Sequence, residues 1–379
     1  MFNNRYKRIR LFVVVVLAAG AATPLLAHAD LLSKLKGNEY LASSVPFKGL
    51  DSGDENPYSL VVSTVNAGKI HNGDVLFDNF NNSKNFQGTG TTIMQFDPKT
   101  QKTRVFARFD NTQDKCPGGI GLTAAMTILK SGYVVVGSMP STDGTTKTLG
   151  QGCLLVANPE GLWVKTIVDP KINGPWGRMA VSDQGDTAHL FISNIGFGLK
   201  GSSPKTILKK ATVARVTLKM PHNAPPELVN ITDVGSWFPA RSSNSAFVIG
   251  PVGLALGKNG DLYVANELNN SINVIPDALT RGTSAGTGNV LTKNGFLKAP
   301  LGMLKTKNGN LVVANAQNGQ LVEIDSQTGK QLGTYWADKD PAQQPPGSGD
   351  LFGIALNPEG NGIYFVRDDN NTLMEAVEK

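Results

Sequence analysis

The sequence predicts an all-β protein: a six-bladed β-propeller of four-stranded antiparallel blades, with an N-terminal strand closing the ring. Three observations predict it. A segment repeats with an offset of 49 residues, hairpin signals recur along the chain, and no sustained helical period occurs in the body of the sequence.

The repeat is sharpest at Pro251-Val-Gly-Leu-Ala-Leu-Gly-Lys-Asn-Gly-Asp-Leu-Tyr-Val-Ala-Asn266, which recurs as Pro300-Leu-Gly-Met-Leu-Lys-Thr-Lys-Asn-Gly-Asn-Leu-Val-Val-Ala-Asn315. Pro, Gly, Lys, Asn-Gly, Leu and Val-Ala-Asn stay in register, so each copy reads as strand, Asn-Gly turn, strand. Weaker copies run from Leu351 to Val366, from Pro175 to Asn194, from Ala124 to Ser138 and from Tyr58 to Asn79. Further strand pairs follow, such as Thr92 to Arg108 across Asp97-Pro-Lys-Thr-Gln and Leu154 to Ile167 across Asn158-Pro-Glu-Gly. Four strands per unit in six units give blades near 57–110, 118–170, 175–235, 250–297, 300–336 and 350–379.

The sixth unit has only three strands before the chain ends, which would leave an unpaired outer edge. The segment Tyr40 to Phe47 precedes the first blade and is expected to supply the missing strand. A parallel α/β sheet would need helical crossovers that the sequence lacks. A sandwich gives no reason for a period near 50 residues.

The first residues carry a different signal. Arg5, Lys7, Arg8 and Arg10 precede an apolar run from Leu11 to Ala22, and Ala27-His28-Ala29 follows. This is the layout of a secretory signal peptide spanning 1–29, with cleavage after Ala29 and a single propeller domain over 30–379. An uncleaved anchor is the competing reading. Removal of those four cations lowers the net charge from +6 to +2, which gives no reason to expect nucleic acid as a partner. No later stretch is apolar for long enough to span a membrane. The expectation is a periplasmic or secreted monomer.

Only Cys116 and Cys153 are present. In an oxidising compartment they pair most simply as one disulfide, contributing about 3 kcal/mol through loop closure. A soft-metal site competes, but no C-x-x-C motif accompanies them.

Pro-x-Gly opening the first strand, the Asn-Gly turn and Ala-Asn closing the second strand resemble NHL-type propellers. The wider plan is similar to the regucalcin/gluconolactonase group, and the resemblance covers most of residues 57–379. It implies an ion site at the channel mouth, where such enzymes hold calcium through Asn, Asp and Glu oxygens. The repeat places Asn79, Ser138, Asn194, Asn266, Asn315 and Arg367 at second-strand ends facing that mouth. Asn194, Asn266 and Asn315 are thus the candidate Ca2+ ligands; Asn at a strand end is also a routine turn residue. Glu55-Asn-Pro-Tyr58 resembles the glutamate segment that opens those families.

Long connections concentrate on the same face: 79–90, 137–152, 196–211, 236–250 and 337–349. Elaborated loops on a rigid scaffold are where binding sits. Trp176 and Arg178, entering the third blade, and Arg367 are candidates to grip an anionic or planar ligand. His71, His189 and His222 fall on the opposite face, against a histidine base or dyad at the mouth. There is no P-loop and no H-E-x-x-H motif. Two functions remain: an extracytoplasmic binding propeller holding a partner protein or small ligand, and a calcium-dependent lactone or ester hydrolase. In the second, Glu55, Glu267 and Asp368 are candidate bases.

Overall fold

A computed structural model describes Met1 and residues 31–46, 53–110 and 116–378. The expected signal peptide, its cleavage site, Phe47 and Lys379 lie outside the described residues. Among these residues the chain forms six antiparallel sheets, arranged as a ring of six blades. From the innermost strand outward, the second blade comprises Leu122–Ile128, Val134–Ser138, Cys153–Ala157 and Trp163–Ile167. The fourth comprises Pro251–Leu256, Leu262–Asn266, Ser271–Ile275 and Asn289–Lys293. The fifth comprises Pro300–Lys305, Leu311–Asn315, Gln320–Ile324 and Gln331–Trp336.

Two blades depart from the plain four-strand pattern. In the first, the inner strand is broken into Glu55–Pro57 and Val61–Val62, both paired with Val75–Asn81. In the third, Glu227–Ser242 runs past the expected end near residue 235 and pairs with Val248–Ile249 as a fifth strand. Much of 236–250, expected as a loop, is therefore strand. Register shifts between Lys209 and Ala214 take up the extra length, a local irregularity that strand patterning cannot display.

The ring closes with an N-terminal strand as expected, although that strand lies at Gly37–Ser43 rather than over the expected Tyr40 to Phe47. Gly37–Ser43 lies antiparallel to Thr372–Val377, with Gly37 opposite Val377 and Ser43 opposite Thr372. Upstream, Leu31, Leu32 and Leu35 are buried among Val312, Ala314, Leu321 and Ala376, against the fifth and sixth blades. The backbone N–H groups of Leu31 and Leu32 donate to Glu323 Oε2 at 3.3 and 3.0 Å.

Blade packing explains the composition of each strand. Second strands are covered on both faces by neighbouring blades, so Val75–Asn81 and Leu311–Asn315 are buried throughout. Fourth strands face solvent, and Gln331–Trp336 is half-buried along its length. The repeat glycine serves the inner ring. A Cβ on Gly177 would lie 1.8 Å from Val252 O, on Gly253 2.3 Å from Leu301 O, and on Gly302 2.1 Å from Phe352 O. Each meets the inner strand of the next blade, and Gly353 meets Tyr58 O at 2.8 Å, which packs the sixth blade onto the first.

Candidate functional site

The second-strand ends meet the mouth, as the repeat implied, and most of them clamp the chain segment arriving from the previous blade. Asn79 Nδ2 donates to Ser44 O at 2.9 Å. Asn194 Nδ2 donates to Lys171 O at 2.9 Å, and Asn194 Oδ1 accepts from Gly174 N at 3.4 Å. Asn315 Nδ2 donates to Phe296 O and its Oδ1 accepts from Lys298 N, both at 2.9 Å. Ser138 holds Gly119 and Gly121 in the same manner. Arg367 does it with charge, reaching Asp338 at 2.5 Å and Asp369 at 3.6 Å. Asn266 is the exception: its amide is buried, and neither Nδ2 nor Oδ1 has a hydrogen-bond partner. Of the three Asn expected to share an ion, Asn194 and Asn315 thus hold two separate blade connections, their oxygens engaged by backbone N–H groups, and Asn266 stands apart.

Below the mouth, five aromatic rings plug the channel. Tyr58 stacks on Phe80 and Phe352 at centroid distances of 4.6 and 3.9 Å. Trp176 meets the edges of Tyr58 and Phe80 at 5.5 and 5.3 Å. Phe247 packs on Phe80 and Trp176 at 5.4 and 6.0 Å. Such offset and edge contacts add to the burial energy of each ring. Phe247 comes from the connection into the fourth blade and adopts φ 59, an uncommon backbone conformation for a bulky residue. The loops that bring it meet overhead, where Gln87 Nε2 donates to Ser245 O at 2.7 Å.

Above this plug lies a pocket of about 270 Å³, lined among others by Asn56, Tyr58, Trp176, Arg241, Glu267 and Asp368. Its two carboxyls enter from different blades, and among the described residues neither forms an ion pair. Burial pushes the Glu267 carboxyl up to about 8, partly offset by the Gly250 N–H and by Arg241. Burial raises Asp368 well above the usual carboxylate range, with Asp350 and Asp369 adding repulsion. Tyr58 is also raised, first by burial and then by the Asp368 and Glu267 charges, so its hydroxyl stays neutral. Asn56, at φ 66, has a buried side-chain oxygen without a partner. The arrangement offers two carboxyls that burial biases towards the protonated form, a phenol and an amide above an aromatic floor. Chemically it suits a small neutral ligand with acceptor oxygens.

The structure brings Glu267, Asp368 and Trp176 together at this pocket. Glu55 is in the short first strand, opposite Asn81, outside the pocket lining. Arg178 lies on the far side of the plug, where Nη1 donates to Met303 O at 3.0 Å. Arg367 sits in an acidic cluster with Asp338 and Asp369, to which Asp350 also belongs. Cys116 and Cys153 are joined in a disulfide. His71 is in the turn before Val75–Asn81, His189 is near the start of Thr187–Asn194, and His222 is in the turn after Leu208–Lys219. All three are therefore at the face opposite the mouth.

Sequence reasoning missed Tyr58, Phe80, Phe247, Phe352, Asn56 and Arg241. Tyr58 and Phe352 do occupy the repeat position of Trp176, Val252 and Leu301, and that alignment signals the plug. Phe247 and Arg241 come from non-repeating chain and leave no such signal. Two short patterns need their context. Gly196 to Gly201 has dinucleotide-loop spacing and follows a strand, but opens only a three-residue 3-10 turn, which gives no helix N-terminus. Gly282-Thr283-Ser284-Ala285-Gly286 has the letters of a nucleophile elbow, yet lies between outer strands, where Ser284 Oγ shares a 2.7 Å hydrogen bond with Ser236 Oγ.

No protein-family model matches the chain, and no curated protein matches its sequence. Solved structures do match in shape. A luciferin-regenerating enzyme is 12% identical, with 90% of this chain and 95% of that one covered at a TM-score of 0.56. A gluconolactonase from Xanthomonas campestris is 11% identical, with 92% and 93% covered at a TM-score of 0.52. Among the described residues, no helix is long and apolar enough to cross a membrane. The chain is a six-bladed β-propeller, NHL-like in its repeat and similar in fold to the gluconolactonase and regucalcin-like propellers.

Proposed function

We propose that this is an extracytoplasmic propeller that binds a small, uncharged, oxygen-rich molecule, such as a lactone or ester, in the pocket at its loop-rich mouth. One observation carries the reading: Glu267 and Asp368 project from different blades into one pocket, where burial raises Glu267 to about 8 and Asp368 well above the usual carboxylate range. A protonated carboxyl donates a hydrogen bond that a carbonyl oxygen accepts, and burial strengthens that bond. Trp176 and Phe352 form the floor against which the apolar body of the ligand rests. The disulfide and the basic leader support an exported protein. Recovery of exported protein beginning at Asp30 tests that part.

The second reading is a lactone or ester hydrolase, favoured by the Glu267 carboxyl, which exchanges its proton near pH 8. The solved gluconolactonase of the same fold makes lactones the first substrates to try. Calcium, if it serves here, would need ligands other than the oxygens of Asn194 and Asn315. The buried, unpartnered Asn266 amide and the adjacent Glu267 carboxyl fit a hard cation better. Such an ion would polarise an ester carbonyl.

The test is a titration with δ-gluconolactone and a neutral aryl ester, with and without calcium, read by Trp fluorescence, melting temperature and acid release. Saturable binding without acid release supports the binding protein, and calcium-dependent release supports the hydrolase. Neither signal with any probe overturns the pocket reading. In the wild type, binding is expected to weaken as pH rises through about 8, because the Glu267 donor is lost. Glu267→Gln keeps a donor at all pH values and should flatten that profile.

A further inference from the structure

The channel continues beyond the aromatic plug. On the face opposite the mouth it opens into a cavity of about 550 Å³, unconnected with the pocket described above by any shared lining residue. Its lining holds Arg178 and Lys305 and no Asp or Glu, and much of its wall is apolar, including Val61, Leu254, Leu304 and Leu356.

Arg178 is out of place by the logic of the repeat. Aligned on Pro-x-Gly, the same position is Leu254 in the fourth blade, Met303 in the fifth and Ile354 in the sixth, all buried apolar residues. From the third blade the Arg178 side chain reaches the fifth, where Nη1 donates to Met303 O at 3.0 Å, its one hydrogen bond among the described residues. Its Nε has no partner, and no ion pair forms with any described carboxylate. Burial lowers its ionisation to about 10 with no acidic group in compensation. Lys305 is likewise lowered by burial and then by Lys258, and among the described residues its only hydrogen bond is a long 3.5 Å contact with Leu256 O. A buried guanidinium without counter-charge is unfavourable unless an anion joins it, and Lys305 at the rim adds a second cation on the same cavity. A guanidinium with free N–H groups matches a carboxylate or phosphate in two-pronged geometry.

We infer that the cavity on the face opposite the mouth is a second binding site, in which Arg178 and Lys305 hold the carboxylate of a small amphiphilic acid and the apolar walls hold its chain. Phosphate shares the head-group chemistry but has no tail for those walls, so it should bind more weakly.

The experiment is calorimetric titration of the full mature chain with hexanoate and, separately, with inorganic phosphate, at constant ionic strength set by chloride. One site per chain is expected, with hexanoate the tighter ligand. Arg178→Gln should weaken hexanoate tenfold or more, and Arg178→Lys should weaken it less. The melting temperature of Arg178→Gln without ligand should equal or exceed that of the wild type, because an uncompensated charge has been removed. Lys305→Ala, at the half-buried rim, provides a second variant and should weaken hexanoate several-fold. Absence of saturable binding, or equal binding in wild type and both variants, overturns the site and leaves Arg178 as a strut on Met303. Phosphate binding more tightly than hexanoate overturns the amphiphile.

Discussion

Asn315 binds Phe296 and Lys298, the last residues to cross from the fourth blade, through both ends of one amide, at 2.9 Å each. Asn79, Ser138 and Asn194 make equivalent backbone contacts in three other blades, and in the sixth Arg367 reaches the Asp338 side chain instead. The repeat conserves this residue within the chain because a side chain there must satisfy backbone groups that have left one sheet and not yet joined the next. Asn266 keeps the residue but lacks the contact.

That contrast makes a prediction. Asn315→Ala removes two part-buried hydrogen bonds to the backbone and should cost about 1–3 kcal/mol, whereas Asn266→Ala removes an unpartnered amide and should cost less than about 1 kcal/mol. Chemical denaturation of both variants, with calcium and with chelator, checks it. A calcium-dependent loss confined to Asn266→Ala would support an ion at Asn266; a large loss in both, independent of calcium, would contradict the contacts seen.

Gly302→Ala tests the inner ring. Its Cβ would meet Phe352 O at 2.1 Å, and neither backbone can retreat without opening the ring. Overpacking of this kind should destabilise by about 1–3 kcal/mol, read as a lower denaturation midpoint with an unchanged slope. Gly185→Ala is the control for added side-chain bulk, since nothing lies within 4 Å of a Cβ there; its φ of +94 brings its own backbone strain, so a smaller loss is expected than at Gly302.

Much of this architecture is legible in the sequence because it repeats. Period, turn glycines and strand-end polar residues recur, and the closing strand follows from a sixth unit that lacks one. The site is less legible because it draws on what does not repeat: Phe247 and Arg241 come from the extended third-blade connection. Repeat alignment also places Trp176 and Arg178 two residues apart without revealing that Trp176, in the plug, lines the mouth pocket while Arg178 lines the cavity beyond. The carboxyls Glu267 and Asp368 follow strand ends, so their position was readable, whereas their burial was not.

Asp78 should give stability a pH dependence of its own. Its carboxyl is fully buried, with Oδ1 accepting from Ser59 N at 2.9 Å and Oδ2 without a partner. Burial raises it from 3.8 to about 7, against the lowering effect of Ser59. A raised carboxyl stabilises the fold below its unfolded value, and that contribution disappears as pH rises through the folded one. Stability should therefore fall between about pH 4 and pH 7, by up to about 4 kcal/mol from this group. Asp78→Asn should melt higher than the wild type at pH 8 and show a flatter profile over that window.

Closure of the ring can be dissected by truncation. Removing the chain through Lys36 leaves the strand Gly37–Ser43 in place but takes away Leu31, Leu32 and Leu35. Burying such a side chain contributes about 1.5–3 kcal/mol, so the melting temperature should fall by several degrees while the chain stays monodisperse. Removing the chain through Ser44 also exposes the edge of Thr372–Val377 and deprives Asn79 Nδ2 of the Ser44 carbonyl. An open edge pairs with other chains, so this variant should both melt lower and aggregate, seen as rising light scatter before the unfolding transition. Equal melting of both truncations and the full chain would mean that the sixth blade is complete without its N-terminal strand.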